Sequence, residues 1–317
     1  MSPLRVGTRG SALALTQSKQ LVAQLEAAGN EVELVVIRTS GDRLAQVPLA
    51  RIGGKGLFIK ELEESLVRKE IDLAVHSLKD VPAEIPSGFT LAAVSERADE
   101  RDVLILREDA DAGTRGTLDG DAALLELPEG ARIGTGSLRR GSQISARRAD
   151  LEIVGIRGNV DTRLGKLRRG EVDAIVLAAA GIARLGLAVR TRPLAASGFL
   201  PSPGQGALAI ECRAGDAATA SRISVLDHTD TARACFAERA FLQALGATCV
   251  VPVAAHALVG PDGAVTLDGL VASIDGRTIL REQIEGDPLV VGQELGHRLL
   301  DRGAREILDE IERQIEH

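Results

Sequence analysis

The 317-residue sequence predicts an α/β fold with two doubly wound domains around a hinged cleft, plus a smaller C-terminal α+β domain with an antiparallel sheet. Short β-branched segments alternate with amphipathic helical segments in two successive units, a pattern typical of mainly parallel sheets. A Pro/Gly-rich segment at residues 201–206 precedes one more apolar strand. From about Ser224 the pattern changes to strands joined by tight turns.

The first domain is assigned to residues 1–96 and 206–222. It begins with a strand, LRVGT (4–8), and a helix from about Ala12 to Ala28 that Gly29 ends. The next segments are a strand, a helix and a strand: VELVVIR (32–38), GLFIKELEESLVRK (56–69) and IDLAVHS (71–77). This order requires right-handed crossovers, so a largely parallel sheet is expected.

The second domain, residues 101–200, repeats the alternation. Strands at about 90–95 and 101–107 carry the chain across to it. Six segments then alternate between strand and helix: ARIGT, SLRRGSQISARR, LEIVGI, NVDTRLGKLRRG, VDAIVLA and GIARLG. The segment PSPGQGALAIECR (201–213) combines a hinge with a strand that returns to the first domain. Two such crossings would permit hinge motion around a cleft.

The third domain is assigned to residues 225–317. A helix at 231–245 precedes strands that turn at Pro261-Asp262-Gly263 and at Asp275-Gly276. Two helices separated by Gly303 end the chain. Tight turns between neighbouring strands predict an antiparallel sheet.

Composition excludes several classes of function. The formal net charge is −7, and aromatic residues make up 2% with no Trp or Tyr, so the stacking platforms of single-stranded nucleic acid binders are missing. No apolar stretch approaches the roughly 18 residues of a membrane span, and the first residues contain no signal-peptide core. We expect a cytoplasmic monomer with no nucleic acid or membrane partner.

Cysteine and histidine spacing predicts neither a disulfide nor a metal site. Cys212, Cys235 and Cys249 form no C-x-x-C pair, and the five histidines are scattered. Cys212 lies in an apolar strand and Cys235 in an amphipathic helix, so both are expected in the core. Cys249 lies in the small-residue turn LGATCVVP, where a reactive thiolate and a structural cysteine are both compatible with the sequence.

Positive charge is concentrated in one segment of this acidic chain. Between Arg132 and Arg169 lie nine arginines and one lysine against three acids. Guanidinium groups offer paired donors that match carboxylates and phosphates, so the segment predicts a polyanionic ligand. The arginines on helix faces are interpreted as solvated or ion-paired: Arg147, Arg148, Arg168 and Arg169.

Four further arginines of this segment follow strands or begin helices. Open α/β sheets bind ligands beyond the carboxyl ends of their strands, where helix N-termini present free N–H groups. The candidate anion-binding residues at this edge are Thr135, Ser137, Arg139, Arg140, Arg157 and Arg163.

The first domain offers a matching edge. Arg9 and Ser11 follow the first strand, and Lys79 and Asp80 follow the strand IDLAVHS. A carboxylate among cations would stay ionised and stabilise a developing cation, or pass a proton if partly desolvated. Asp80 is equally compatible with a turn residue before Pro82. GGKGLF (53–58) lacks the end of a P-loop and is interpreted as a cationic lid.

Seven motifs in this order resemble the porphobilinogen deaminase family over nearly the full length: TRGSALAL, GGKGLF, HSLKDVP, GTGSLRR, RGNVDTRL, PGQGALAIECR and ATCVVP. This chain departs from the family pattern at Gly10 and Ala12 of the first motif, at Gly136, and at Ala247-Thr248. None of these departures changes Asp80 or Cys249.

The resemblance implies a transferase of tetrapyrrole biosynthesis. A dipyrromethane cofactor would be bound through a thioether to Cys249, and porphobilinogen units would be deaminated and joined head to tail into hydroxymethylbilane. Asp80 would be the catalytic carboxylate. The implied cofactor contacts are Ser77, Lys79, Thr135, Ser137, Arg139, Arg140 and Arg157. The implied substrate or translocation contacts are Arg9, Ser11, Arg163 and Arg184, with Phe58 in the lid and Gln205 at the hinge.

Two other readings remain. Two α/β lobes around a hinge also describe solute-binding proteins of the periplasmic type and ligand-sensing modules, and such a module has no reason to carry a covalent adduct. Nucleic acid binding through the basic segment is disfavoured by the aromatic content and the overall acidity.

Overall fold

The computed structural model describes residues 2–39, 59–110, 116–117, 119–247 and 251–316. The strands are β1 Leu4–Arg9, β2 Val32–Ile37, β3 Leu73–Ser77, β4 Phe89–Val94, β5 Asp102–Leu106, β6 Gly116–Thr117, β7 Arg132–Gly134, β8 Glu152–Val154, β9 Ala174–Ala178, β10 Arg190–Pro193, β11 Leu208–Arg213, β12 Val253–Val259, β13 Val265–Ala272 and β14 Ile279–Gly286. The helices are α1 Ala12–Ala27, α2 Lys60–Val67, α3 Gly120–Glu126, α4 Leu138–Arg147, α5 Val160–Arg168, α6 Ala179–Leu185, α7 Ala217–Ile223, α8 Thr229–Ala244, α9 Val291–Leu299 and α10 Arg305–Glu316.

The first sheet has the strand order β2-β1-β3-β11-β4. Strand β1 pairs in parallel with β2 and β3, whereas β11 is antiparallel to β3 and to β4. The alternating burial of β1 places Leu4 and Val6 in a core that α1 completes with Leu21 and Leu25. The sheet therefore combines the start of the chain with a strand that returns after the second sheet.

The second sheet, of order β6-β10-β5-β9-β7-β8, repeats this arrangement. Strands β8, β7 and β9 pair in parallel, as do β10 and β6, and β5 is antiparallel to β9 and β10. Each sheet thus contains one antiparallel strand, β11 in the first and β5 in the second, and this strand directly follows a segment that crosses from the other sheet. The predicted pair of doubly wound α/β units is confirmed.

Two crossing segments, residues 95–101 and 201–207, connect the sheets and run side by side. The Ala98 N–H donates to the Gly206 carbonyl at 3.2 Å, and Ser95 and Leu208 bond to each other. Gly206 has a φ of +95°, and a Cβ there would strike the Ala98 carbonyl. A residue with a side chain is therefore excluded where the segments touch.

The third sheet is antiparallel, in the order β12-β13-β14, as predicted. Helices α8 and α9 pack on it around the fully buried Phe241. A Cβ at Gly292 of α9 would contact the Ala237 carbonyl of α8, so glycine permits the close approach of the two helices. Gly303, with a φ of 101°, separates α9 from α10.

Some elements differ from the sequence prediction. The sequence did not indicate α3, α7 or β10, because the two helices have only seven residues each and β10, RTRP, has no apolar alternation. Strand β8 is three residues long, shorter than the predicted LEIVGI. None of the described helices is long and apolar enough to cross a membrane.

Candidate active site

Asp80 lies at the end of a short 3-10 turn, Leu78–Asp80, that directly follows β3. Leu78 is fully buried, and its N–H donates to the Ala207 carbonyl of the second crossing segment at 3.1 Å. Lys79 is half-buried and Asp80 is exposed. The turn is therefore anchored through Leu78 and presents a carboxylate beyond the carboxyl end of β3.

The second sheet presents Thr135 and Ser137 between β7 and α4. Ser137 caps α4 by accepting the Arg140 N–H at 3.4 Å, and Thr135 accepts the Ser137 N–H at 3.1 Å. Each hydroxyl retains its own O–H as a donor. At Gly136 a Cβ would lie 2.8 Å from the Ile156 carbonyl, so this departure from the family motif agrees with the local packing.

Arg139 and Arg140 of α4 are both buried and bind one carboxylate, Asp102, at the start of β5. Arg139 Nη1 lies 2.6 Å from Asp102 Oδ2, and Arg140 Nη2 lies 2.8 Å from Oδ1. Burial alone would raise the pKa of Asp102, but the two guanidinium groups lower it well below its usual range. Asp102 is therefore ionised, and its carboxylate holds both guanidinium groups in place.

Gln205 of the second crossing segment connects the two edges. Its amide nitrogen donates to Asp102 Oδ1 at 3.0 Å and to the Glu100 carbonyl at 2.7 Å. Its amide oxygen accepts from Lys79 Nζ at 3.2 Å. The side chain of Gln205 thus connects Lys79, next to Asp80, with Asp102, which binds the two arginines.

Electrostatic interactions connect further residues of the two edges. Burial, followed by repulsion from Arg140, lowers the pKa of Lys79 to about 8. Burial, followed by repulsion from Arg140 and Arg157, lowers the pKa of Arg163 to about 10, and Asp80 acts in the opposite direction. We refer to Lys79, Arg139, Arg140, Arg157 and Arg163 as the cation cluster. Asp80 and Asp102 act on Lys79, and Asp80 also acts on Arg163.

Several other predicted site residues lie at the ends of β1 and β3 or against the second crossing segment. Ser11 caps α1, accepting the Ala14 N–H at 3.3 Å, and Ser77 bonds Gln17 of the same helix at 3.0 Å. Arg9, half-buried, ends β1. Arg184 of α6 donates to the Gly206 carbonyl at 2.7 Å, which places it against the hinge. Phe58, the lid GGKGLF and Cys249 lie outside the described residues.

Three of the four arginines assigned to helix faces form ion pairs, in agreement with that interpretation. Arg147, Arg148 and Arg169 pair with Asp121, Asp150 and Glu171 at 2.9, 2.5 and 2.7 Å. Arg168 donates to the Ala110 carbonyl at 2.8 Å. These arginines are therefore distinct from those of the cation cluster.

Both described cysteines are core residues. Cys212 and Cys235 are fully buried and free. Burial raises the pKa of the Cys235 thiol to about 12 and also raises that of Cys212. Neither thiol is prepared to act as a nucleophile near neutral pH.

One cavity lies outside this site. A shallow cavity of about 680 Å³ lies at the opposite edge of the second sheet, lined by Arg107, Glu108, Asp173 and residues 128–131. In the part of the chain that the structure describes, no group of histidine, cysteine and acidic side chains could hold a metal ion.

Sequence reasoning missed Gln17 and Asp102, whose partners lie 60 and 37 residues away along the chain. Asp102 gave one weak signal, as a charged residue at the start of the apolar run VLIL. Gln17 gave none, because a polar residue on an amphipathic helix is expected in solvent.

Comparison with known proteins agrees with this geometry. The family model described as "Porphobilinogen deaminase, dipyromethane cofactor binding domain" matches residues 4–221, and "Porphobilinogen deaminase, C-terminal domain" matches residues 232–301. The porphobilinogen deaminase of Syntrophobacter fumaroxidans is 47% identical over 98% of this chain and 98% of its own. That of Brevibacillus brevis is 46% identical over the full length of both chains.

Similar solved structures include the methionine-binding protein MetQ, at 12% identity and a TM-score of 0.42 over 74% of this chain and 96% of that one. The periplasmic VFT2 domain of Bordetella pertussis BvgS is 16% identical, with a TM-score of 0.40 over 70% of this chain and 86% of that one. The two family models and the full-length relatives show that the chain belongs to the porphobilinogen deaminase family, the dipyrromethane-containing hydroxymethylbilane synthases of tetrapyrrole biosynthesis.

Proposed function

We propose that this chain removes ammonia from porphobilinogen and joins the resulting units head to tail on a dipyrromethane bound covalently to Cys249, then releases linear hydroxymethylbilane by hydrolysis. The observation that carries the proposal is the cation cluster, whose positive charge exceeds the charge of Asp80 and Asp102. Every pyrrole unit of such a chain brings an acetate and a propionate, so a growing oligomer is a polyanion that matches this excess.

The donor set fits a polycarboxylate. The lowered pKa values of Lys79 and Arg163 reflect burial and mutual repulsion, and a bound carboxylate would relieve the repulsion. Arg139 and Arg140 share one carboxylate, so this group of three side chains keeps a net positive charge. Charge-assisted and bidentate hydrogen bonds then give both affinity and orientation.

The cofactor-side contacts are assigned to the cluster and its neighbours: Ser77, Lys79, Thr135, Ser137, Arg139, Arg140 and Arg157. When bound, the dipyrromethane would supply an anchored primer whose free pyrrole carbon takes up the first unit, each later unit adding to the terminal ring, and it would stay on the protein at product release. The α4 N-terminus adds backbone N–H groups beside Ser137, where a carboxylate is favoured.

The substrate side is assigned to Arg9, Ser11, Arg163 and Arg184, with Phe58 and Gln205. Arg163 is within electrostatic range of both Asp80 and Arg140, so it can bind a carboxylate next to the catalytic group. Arg184 bonds the hinge carbonyl of Gly206 and could shift its contacts as the domains move.

Asp80 is assigned as the catalytic carboxylate. Its side chain can accept the N–H of a pyrrole ring and stabilise the positive charge that develops on the substrate as the carbon–nitrogen bond breaks and ammonia leaves. Lys79 precedes Asp80 in the same turn, and Arg163 lies within electrostatic range of it. The same carboxylate can receive the ring proton that is lost after the new bond forms.

Cys249 is assigned as the attachment residue partly by contrast with the other thiols. Cys212 and Cys235 are fully buried, with raised pKa values, so a thioether at either would disrupt the core. We further propose a cytoplasmic monomer with no nucleic acid or membrane partner. A single chain supplies both edges of the cleft, and free thiols agree with a reducing compartment.

The experiment is direct. The purified protein, given porphobilinogen, should consume it, release one ammonia for each unit incorporated and produce a linear tetrapyrrole that cyclises to uroporphyrinogen. Protein that binds porphobilinogen without releasing ammonia would instead be a binding module, and the proposal would fail.

A further inference from the structure

Arg239 of α8 reaches from the third domain to the segment that follows Asp80. Its guanidinium group donates to three consecutive backbone carbonyls: Val81 at 3.1 Å, Pro82 at 2.6 Å and Ala83 at 3.1 Å. Arg239 is 7% exposed. Burial lowers its pKa to about 10, so the group is still charged at neutral pH.

The recipient segment has little support of its own. Residues 81–83 belong to no helix or strand, and Pro82 has no N–H to donate. The Val81 N–H donates back to the Leu78 carbonyl at 3.1 Å and closes the turn that carries Asp80. The guanidinium fork therefore supplies the donors for the carbonyls that extend from this turn.

A structural ion pair does not explain this arginine. Among the described residues no carboxylate forms a salt bridge with Arg239, and its hydrogen bonds go to the three carbonyls. Burying a cation without a counter-charge is costly. We therefore expect the backbone that this guanidinium group holds to have a role. The neighbouring Glu238 binds Arg97 of the first crossing segment and the Gly204 N–H of the second, at 2.7 and 2.6 Å. This end of α8 thus contacts both crossing segments and the Asp80 segment together.

We propose that Arg239 is a positioning residue for Asp80, through which the cysteine-bearing domain sets the place of the catalytic carboxylate. The inference rests on the proposed function. It assigns a role in the reaction to a residue that touches neither substrate nor cofactor. Because the carboxylate must meet each substrate at one place, a loosened turn should lower turnover more than it lowers substrate binding.

The test compares Arg239→Lys and Arg239→Gln with Arg213→Gln. Arg213 is a matched control, since it donates to the Leu66 and Ile71 carbonyls at 3.0 and 2.8 Å, before β3 and at the end of that strand opposite Asp80. For each variant we would measure intact mass, amide hydrogen exchange of residues 78–92, kcat and KM.

The Arg239 variants should keep the cofactor adduct, exchange amides of residues 78–92 at least ~10-fold faster and lose about 10-fold or more in kcat with KM nearly unchanged. Lysine should retain more activity than glutamine because it keeps the charge but reaches fewer carbonyls. Arg213→Gln should keep kcat and the exchange of this segment.

Wild-type kcat in Arg239→Gln with the adduct present would overturn the proposal, as would unchanged exchange at 78–92. Equal losses of kcat in Arg213→Gln would show a general stability effect and overturn it too. If the wild-type protein is inactive but the amide exchange of residues 78–92 still depends on Arg239, the proposed function fails and Arg239 keeps a structural role alone. The two failures are therefore distinguishable.

Discussion

Arg140 and Asp102 form a two-point ion pair in which Nε and Nη2 of the arginine donate to the same carboxylate oxygen, at 3.0 and 2.8 Å. Asp102 is fully buried and also binds Arg139. The carboxylate therefore holds both arginines in place. Its effect on ligand binding should be transmitted through the geometry of the pair.

Removing the charge of Asp102 should destabilise the fold. Asp102→Asn would leave two buried guanidinium groups without their anion, at a cost of about 3–5 kcal/mol in the free energy of unfolding. The control is Asp99→Asn, because Asp99 pairs with Arg101 at the surface and such pairs contribute less than about 1 kcal/mol. Urea unfolding of both variants compares them, and equal losses would show that Asp102 does not hold the arginines in place.

Asp80 should matter for turnover and not for stability. Asp80→Asn preserves the volume of an exposed side chain but removes its charge, so kcat should fall at least ~10²-fold while Tm stays near that of the wild type. Asp80→Glu should retain more activity because the charge survives. Steady-state kinetics and thermal unfolding give both readouts, and equal turnover in Asn and wild-type proteins would make Asp80 a structural turn residue.

The arginines should separate by task. Leu at Arg139, Arg140 or Arg157 should yield protein that lacks the cofactor, since each charge-assisted contact contributes roughly 1.5–3 kcal/mol. Leu at Arg163 or Arg184 should yield cofactor-bearing protein that stalls with substrate units attached. Native mass spectrometry after adding porphobilinogen distinguishes the groups, and identical adduct ladders would refute the division.

Lys79 should make cofactor acquisition dependent on pH. Its pKa of about 8 means that the ammonium group loses its proton in mildly alkaline solution. The rate at which protein freed of its cofactor regains it from porphobilinogen should therefore fall as pH rises through about 8. In Lys79→Arg this fall should move to higher pH, and identical profiles would exclude Lys79 as the titrating group.

The stability of the same cofactor-free protein should change in the opposite direction. The folded-state pKa of Lys79 lies below the ordinary lysine value of about 10.4, so the unfolded chain holds the proton more tightly. Relative to Lys79→Met, stability should rise as pH increases from about 8 towards that value. Unfolding at several pH values checks this sign, and a decrease would contradict it.

The sequence predicted the strands and helices whose formation depends on residues close together in the chain. Short β-branched apolar segments located β1 and β9, and the position of Ser137 before a helical segment indicated the start of α4. Both α/β units and the antiparallel third sheet followed from such local patterns. The strand-end rule also selected Arg139, Arg140 and Arg163, which the fold places at one edge.

Contacts between distant segments were not predictable. Gln205 was expected near the cleft, but its bonds to Lys79 and Asp102 span 126 and 103 residues. Arg239 lies in an amphipathic helix, where an arginine is expected in solvent, and its burial depends on the packing of α8 against the Asp80 segment. Buried polar partners of this kind carry no local periodicity.

The intact mass of the purified protein tests the central claim most directly. The proposed function predicts a mass greater than that of the sequence by one dipyrromethane. Cys249→Ala should have the bare mass and no activity, whereas Cys212→Ala and Cys235→Ala should keep the adduct. A fully active protein with the unmodified mass, or an adduct that persists in Cys249→Ala, would contradict it.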